Sequence, residues 1–523
     1  MRPLRTSVFA FALLALATPA ASAADVDAAA VYAKNCAECH GADRLGGTGP
    51  ALFPENLGRL RQKAAERVIA KGRAATQMPP FEKILGPDEI AALAAYVYTP
   101  PATPPRWADA DIGRSHVVYP AAARLPERPV YEADPLNLFV VVEAGDHHVT
   151  ILDGDRLEPI RRFRSRFALH GGPKFSPDGR FVYFASRDGW ITKYDLYGLE
   201  VVAETRAGIN TRNMAISSDG KIVAVANYLP KTLVMLDAHD LSLLKTLDVK
   251  SATGKRASRV SAVYQAAPRN TFIAALKDIP EIWEIPYNAK AAPVYPGLVH
   301  SYEKGMEEAL PADWKTFPVR RIPLGQPLDD FFFDQRYRHL FGSARGGKKA
   351  VVVHLDVRRE IAEIPLPGLP HLGSGITWTW QGRTVMATPD LRDSAVSVVD
   401  MKDWKIIRRI ETLGPGFFLR SHENTPYAWT DVFFGPNKDV MHVIDKRTLE
   451  IVKTLRPAPG RTAAHVEFDR YGKYALVSIW EMDGALVVYD AATLTEVKRI
   501  PMRKPSGKYN VYNKIHLSEG TSH

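Results

Sequence analysis

The sequence predicts an all-β eight-bladed propeller preceded by a small all-α domain, and three observations carry the prediction. A strand-rich unit recurs beyond residue 130 at a spacing of 42 to 45 residues. Pro100, Pro101, Pro104 and Pro105 break the chain just before it. Ahead of that break lies a short helical pattern holding both cysteines of the 523-residue chain.

Composition sets the outer bounds. With 46% hydrophobic and 24% charged residues the chain is an ordinary globular protein, which excludes wholesale disorder, collagen and a polytopic membrane protein. Lysine and arginine exceed aspartate and glutamate by 68 − 58 = 10, a balance that admits anionic partners without singling out nucleic acid. Residues 1–24 read as a signal peptide. Arg2 and Arg5 precede the apolar stretch Val8 to Ala17, and Ala21-Ser22-Ala23 supplies the small-residue cleavage pattern. The stretch falls short of a bilayer of about 30 Å, although a retained anchor is the alternative reading. Export to the periplasm is the expectation, with the mature chain starting near Ala24 or Asp25.

Two cysteines in an exported protein ordinarily suggest a disulfide. Here they read Cys36-Ala37-Glu38-Cys39-His40, a spacing that lets both thiols bond the vinyl groups of one haem c while His40 reaches the iron. A thioredoxin-like pair is the rival, but its βαβ context is missing from the flanks. Met78 in Gln77-Met78-Pro79-Pro80 is the candidate sixth ligand, with a core methionine as the alternative. Gly86-Pro87-Asp88-Glu89 then opens an apolar helix to Tyr98. The pattern resembles a class I cytochrome c, assigned to residues 25–99, and a Pro-rich linker over 100–129 is expected to act as a semi-rigid spacer.

In the repeats, from residue 130 to 523, a short apolar strand leads through a turn to a second strand ending in aspartate. Phe181-Val182-Tyr183-Phe184 leading to Tyr194-Asp195 parallels Ile222-Val223-Ala224-Val225 leading to Leu236-Asp237. The closing aspartates are Asp153, Asp195, Asp237, Asp356, Asp400, Asp445 and Asp490, with one gap of 119 residues. That gap holds a degenerate copy, Thr271 to Pro286, and a Pro-rich insertion over 287–325, making eight repeats. Repeats of this length with Asp178-Gly179 and Asp219-Gly220 hairpin turns indicate four-stranded blades, an open solenoid being the rival. Eight blades leave a channel wide enough for a large flat ligand.

This pairing of domains resembles the haem-c/haem-d1 (cytochrome cd1) family of denitrification. The most specific segments are Ala168-Leu169-His170, Leu369-Pro370-His371, Arg420-Ser421-His422 and Gly507-Lys508-Tyr509-Asn510-Val511-Tyr512-Asn513. The resemblance implies a non-covalent heme d1 or dihydro-heme d1 in the channel. It gives His170 the proximal iron position and His371 and His422 the distal face, each just before a strand. It assigns Arg187 and Arg212, and less clearly Arg345, to the tetrapyrrole carboxylates. Trp480 matches an aromatic position near the ring, and plain blade core fits it equally. Two departures from the nitrite-reducing members stand out: His465 replaces a glutamine and Tyr509 replaces a phenylalanine. Both add a proton-transfer group, which points to the branch that oxidises a propionate of dihydro-heme d1 to the acrylate of heme d1. In that reading Tyr509 and His465 assist proton removal, and His170 and His371 hold the iron. Electrons leave through haem c to an external acceptor. Reduction of nitrite to nitric oxide, and carriage of heme d1 to the nitrite reductase, remain open as the two other readings. A monomer is expected, and the 287–325 insertion is either a docking surface for that reductase or a plain loop.

Overall fold

The computed structural model describes residues 26–47, 49–58, 60–72, 78–295, 310–343, 349–517 and 519–521. The expected signal peptide, Arg345 and residues 296–309 of the insertion lie outside these.

The N-terminal domain is helical. Ala28–Asn35 runs into the short helix Ala37–His40, followed by Pro54–Leu57, Gln62–Lys71 and Pro87–Tyr98. The last helix starts where the sequence places it, because Glu89 folds back to accept the Gly86 N–H at 2.8 Å. Its apolar stripe, Ile90, Leu93 and Val97, packs on Tyr32 and Leu85 to make the small core.

The rest of the chain forms eight sheets of antiparallel strands. In chain order the innermost strands are Pro505–Asn510, Lys174–Phe175, Asn210–Ile216, Val260–Ala266, Asp330–Phe333, Ile376–Trp380, Leu419–Ser421 and Ala463–Phe468, here blades 1 to 8. Blade 1 takes its innermost strand from the C-terminus, where Tyr509 pairs with Val140 and Lys508 with Val141. Joining the two chain ends in one sheet leaves no open edge in the ring. Between blades the core is made by the alternate faces of near-continuous apolar strands, such as Val140 and Val142 against Val182 and Phe184.

The periodic aspartates have a local cause. Each carboxylate accepts backbone N–H groups of the turn that follows its strand: Asp153 from Asp155 and Arg156, Asp400 from Lys402 and Asp403, Asp490 from Ala492 and Thr493. The structure corrects one of them. In blade 5 the turn is held by His354, whose Nδ1 accepts from Asp356 and Val357, so Asp356 lies inside the turn and is not its cap. The insertion is also shorter than expected, because Arg320–Pro323 within 287–325 is the outermost strand of blade 4.

The 100–129 segment is more than a spacer. Asp109–Ser115 is helical, and Val117–Val118 adds a fifth strand to blade 2 opposite Glu204 and Ala203. Trp107 donates its indole N–H to the Arg206 carbonyl at 2.7 Å. Ala51 and Phe53 of the helical domain share an apolar cluster with Ile209 and Leu229 of the propeller, joined by Trp107. The helical domain therefore sits on the propeller face where blades 2 and 3 begin. No helix among the described residues is long and apolar enough to cross a membrane.

Candidate functional site

Cys36 and Cys39 are free thiols, not a disulfide. His40 donates from Nδ1 to the Pro50 carbonyl at 2.7 Å, which fixes the ring and presents Nε2 as the nitrogen with a lone pair. A Cβ on Gly49 would lie 2.7 Å from His40 Cε1, so the chain passes the ring only because this residue is glycine. Burial holds the His40 pKa down, keeping the imidazole neutral and able to bind metal. Two free thiols, a neutral oriented histidine and Met78 on the same small domain fit a haem c.

At the channel, His170 and His371 occupy the same position of their blades. Each donates its backbone N–H to the end of the second strand, His170 to Ala185 and His371 to Pro389. Leu169 bridges Ser186, and Pro370 bridges Asp390, one residue earlier. In both, Nδ1 donates to a carbonyl of the next blade: His170 to Arg212 at 2.8 Å and His371 to Phe417 at 2.6 Å. Both therefore turn the Nε2 lone pair away from their backbone anchors. Arg187 donates to His170 Nε2 at 2.7 Å, bringing the expected guanidinium to the expected histidine. Arg212 also stands here, and its neighbours include Tyr264 and Asp330, which are hydrogen bonded at 2.9 Å.

His465 reaches the same level of blade 8 by a different device. The pairing slips between Ala464 and Val466, and His465 takes φ of 50°, a bulge that re-aims its side chain. Its ring lies 4.6 Å from Phe418 and 5.3 Å from the Tyr509 ring, centroid to centroid. Nε2 of His465 is buried and has no hydrogen-bond partner. Burial, reinforced by the Lys508 charge, pushes the His465 pKa well down, so the imidazole is neutral. Burial raises the Tyr509 phenol to about 12 against the opposing pull of Arg420, so it too is neutral and holds its proton. Gly172 and Gly507 clear space for that phenol: a Cβ on Gly172 would lie 3.2 Å from Tyr509 Cε1, and one on Gly507 2.6 Å from its hydroxyl.

The structure contradicts one expectation. His422 follows the innermost strand of blade 7, not precedes it, and lies at the other end of that strand. Its Nδ1 accepts from Asn424 N–H, and Gly472 packs against the ring. The blade 7 position beside His371 carries Phe417 and Phe418 instead, with Phe417 only 4.2 Å from the His371 ring. The misreading arose because three-residue spacing alone does not tell which end of a strand a histidine occupies.

Several residues escaped the sequence reading. Asp431 accepts from the N–H groups of Phe417 at 2.7 Å, Phe418 at 3.0 Å and His465 at 3.1 Å, tying both phenylalanines and the histidine to one carboxylate. Burial raises its pKa to about 6. Lys508 is fully buried and donates to the His465 carbonyl and to Ser478 Oγ at 2.8 Å. Arg420, two residues before His422, has a buried Nε without a partner, and Glu467 and Tyr509 are among its electrostatic neighbours. Lys174 and Lys514 line a cavity of 490 Å³ together with Tyr264 and Phe332. Trp480, which the sequence did single out, packs 4.8 Å from Phe433, and its indole N–H is also buried without a partner. Unpartnered buried donors and acceptors of this kind mark a place where a polar ligand completes the site.

Blades 2 to 5 thus give the channel a charged wall and blades 6 to 8 an aromatic one, with a helical domain fit for haem c docked beside the first. That combination defines a two-domain redox protein with a channel lined by charged and aromatic groups. The chain belongs to the cytochrome d1 heme domain family, whose profile matches residues 133–303 and 304–514. Residues 23–97 match the profile of cytochrome c oxidase, cbb3-type, subunit III. The chain is 56% identical over 503 residues to the dihydro-heme d1 dehydrogenase of Pseudomonas aeruginosa, covering 96% of this chain and 97% of that protein. It is 25% identical over 566 residues to the nitrite reductase of Stutzerimonas stutzeri, covering 97% and 96% of the two chains. A solved structure described as dihydro-heme d1 dehydrogenase NirN in complex with DHE superposes with a TM-score of 0.86 at 56% identity, covering 93% of this chain and 99% of the other.

Proposed function

We propose that this protein is a dihydro-heme d1 dehydrogenase, an oxidoreductase that converts the propionate side chain of dihydro-heme d1 to the acrylate of heme d1. The observation that carries the reading is the His465–Tyr509 pair: two neutral proton-transfer groups side by side, one with an unpartnered nitrogen, in a channel lined for a flat ligand.

The reaction balances as dihydro-heme d1 giving heme d1, two protons and two electrons, with a new carbon–carbon double bond replacing two C–H bonds. His170 and His371 bind the iron of the substrate through Nε2, each ring aimed by a backbone carbonyl. Arg187 leaves His170 Nε2 as iron arrives and turns to a substrate carboxylate, with Arg212 and Arg420 supplying further guanidinium groups. The aromatic wall stacks on the macrocycle and excludes water. His465 Nε2 takes the proton released next to the carboxylate. The Tyr509 hydroxyl orients the side chain and passes a proton onward. Cys36, Cys39, His40 and Met78 would hold haem c, which would supply one-electron redox chemistry when bound. An external acceptor takes the two electrons one at a time and completes turnover.

The same reading takes the leader as an export signal, the periplasm as the compartment and the thioether attachment as covalent. It takes residues 25–99, 100–129 and 130–523 as the cytochrome domain, its tether and the propeller. It makes the nitrite reductase of denitrification the recipient of the product. The blade 7 position beside His371 carries Phe417 and Phe418 in place of the second histidine that the resemblance implies, which weighs against nitrite reduction. Mass analysis of tetrapyrrole extracted after incubation with protein and acceptor tests the reading. Loss of two hydrogens supports it, and an unchanged mass refutes it.

A further inference from the structure

The Arg206 side chain lies between the two domains and joins their sites. It is 6% exposed, yet its guanidinium donates to two backbone carbonyls, one from each domain. Nη2 donates to Leu45 in the loop after His40 at 2.5 Å, and Nε donates to Asp188 in blade 2 at 2.8 Å. Each end leads directly to a ligand histidine. On the cytochrome side, Gly46, next to Leu45, donates its N–H to the His40 carbonyl at 2.8 Å. On the propeller side Asp188 adjoins Arg187, whose N–H donates to the Ala168 carbonyl at 3.1 Å, two residues before His170. The Trp107 ring covers the guanidinium at 4.6 Å and its N–H holds the Arg206 carbonyl. The surroundings are shaped for this contact: a Cβ on Gly46 would come within 3.2 Å of Arg206 Nη2 and 2.8 Å of the Ala51 nitrogen.

We propose that Arg206 is a clasp that holds the cytochrome domain in electron-transfer contact with the tetrapyrrole channel, through one continuous chain of covalent and hydrogen bonds from His40 to His170. The proposal rests on the dehydrogenase reading. Domains that meet through a small apolar contact are mobile by default, and while the 100–129 segment is pinned to blade 2, the apolar patch that holds the helical domain is four buried residues. A buried guanidinium spanning both domains adds directional bonds that fix distance and orientation. Its role is positioning: it touches neither substrate nor reacting atoms.

The test uses the full-length protein carrying haem c and the variants Arg206→Met and Arg206→Lys. Losing both bonds from the charged donor should cut the docked fraction, and with it the observed rate, at least about tenfold. Arg206→Met should bind dihydro-heme d1 as the native protein does and should show an unchanged haem c reduction by ascorbate. Amide exchange over residues 44–53 should speed up, and haem c reduction in a single turnover with dihydro-heme d1 should slow by that factor. Arg206→Lys keeps the charge but cannot span both carbonyls, so it should fall between, and it carries the test if the methionine variant does not fold. Native single-turnover rates and native exchange in the variants would overturn the clasp. A native protein that leaves dihydro-heme d1 unchanged would instead overturn the dehydrogenase reading.

Discussion

The His170 wall and the His465 wall of the channel start from the same level of the propeller and are finished differently. On the first, the histidine is aimed by a carbonyl of the next blade and met by Arg187, in a neighbourhood of arginine, tyrosine and aspartate. On the second, a bulge turns His465 toward Tyr509, Phe418 packs on its ring, the buried Lys508 holds its carbonyl, and one nitrogen is left without a partner. The charged wall suits holding an anionic macrocycle through many interactions. The aromatic wall suits chemistry, because a low dielectric keeps both proton-transfer groups neutral and magnifies each remaining polar contact. The proposed division is that one wall binds and the other reacts.

Substitutions should separate the two. The largest effect belongs to Tyr509→Phe, which removes one hydroxyl from the reacting wall: turnover should fall by about 10²–10⁴-fold, the usual worth of a proton-transfer group, with substrate affinity unchanged. Titration of binding by absorbance beside turnover checks this, and a matching loss of affinity would erase the division between walls. Arg187→Ala should do the reverse. Losing a charged hydrogen-bond donor costs about 1.5–3 kcal/mol, so the Kd should rise roughly ten- to a hundredfold while the rate at saturation holds.

Asp431→Asn sharpens the comparison through pH. The carboxyl pKa stands at about 6 in the fold because of burial, above its ordinary value of 3.8. A raised folded pKa means that the contribution is fully present below the unfolded value and is lost as pH rises through about 6. The melting temperature of the native protein relative to Asp431→Asn should therefore decline between pH 4 and pH 6 and then level off, as scanning calorimetry would record. The smallest effect is reserved for His422→Ala, which lies at the far end of its strand: binding and turnover should stay native, with a stability loss of about 1–3 kcal/mol from the vacated buried position. A drop in turnover there would return His422 to the channel.

Much of this was legible in the sequence because it is periodic or locally encoded. The aspartates marked their turns, the blade count followed, and Cys36, Cys39 and His40 announced themselves by spacing. Arg187 meets His170, and His465 lies beside Tyr509. What stayed hidden depends on pairing register. Whether a histidine precedes or follows a three-residue strand decides which end of the channel it occupies, and Arg420-Ser421-His422 reads the same either way. Asp431 is invisible for a similar reason, since its three N–H partners come from two different blades. The docking of the 100–129 segment rests on Trp107 and Arg206, which lie 99 residues apart, and no local pattern links them.

The most direct measurement mixes the purified full-length protein with dihydro-heme d1 and a one-electron acceptor, then weighs the extracted tetrapyrrole. The account predicts the loss of two hydrogens, accompanied by reduction of the acceptor, in the native protein and not in Tyr509→Phe. An unchanged tetrapyrrole in the native protein, or equal conversion by Tyr509→Phe, would contradict it.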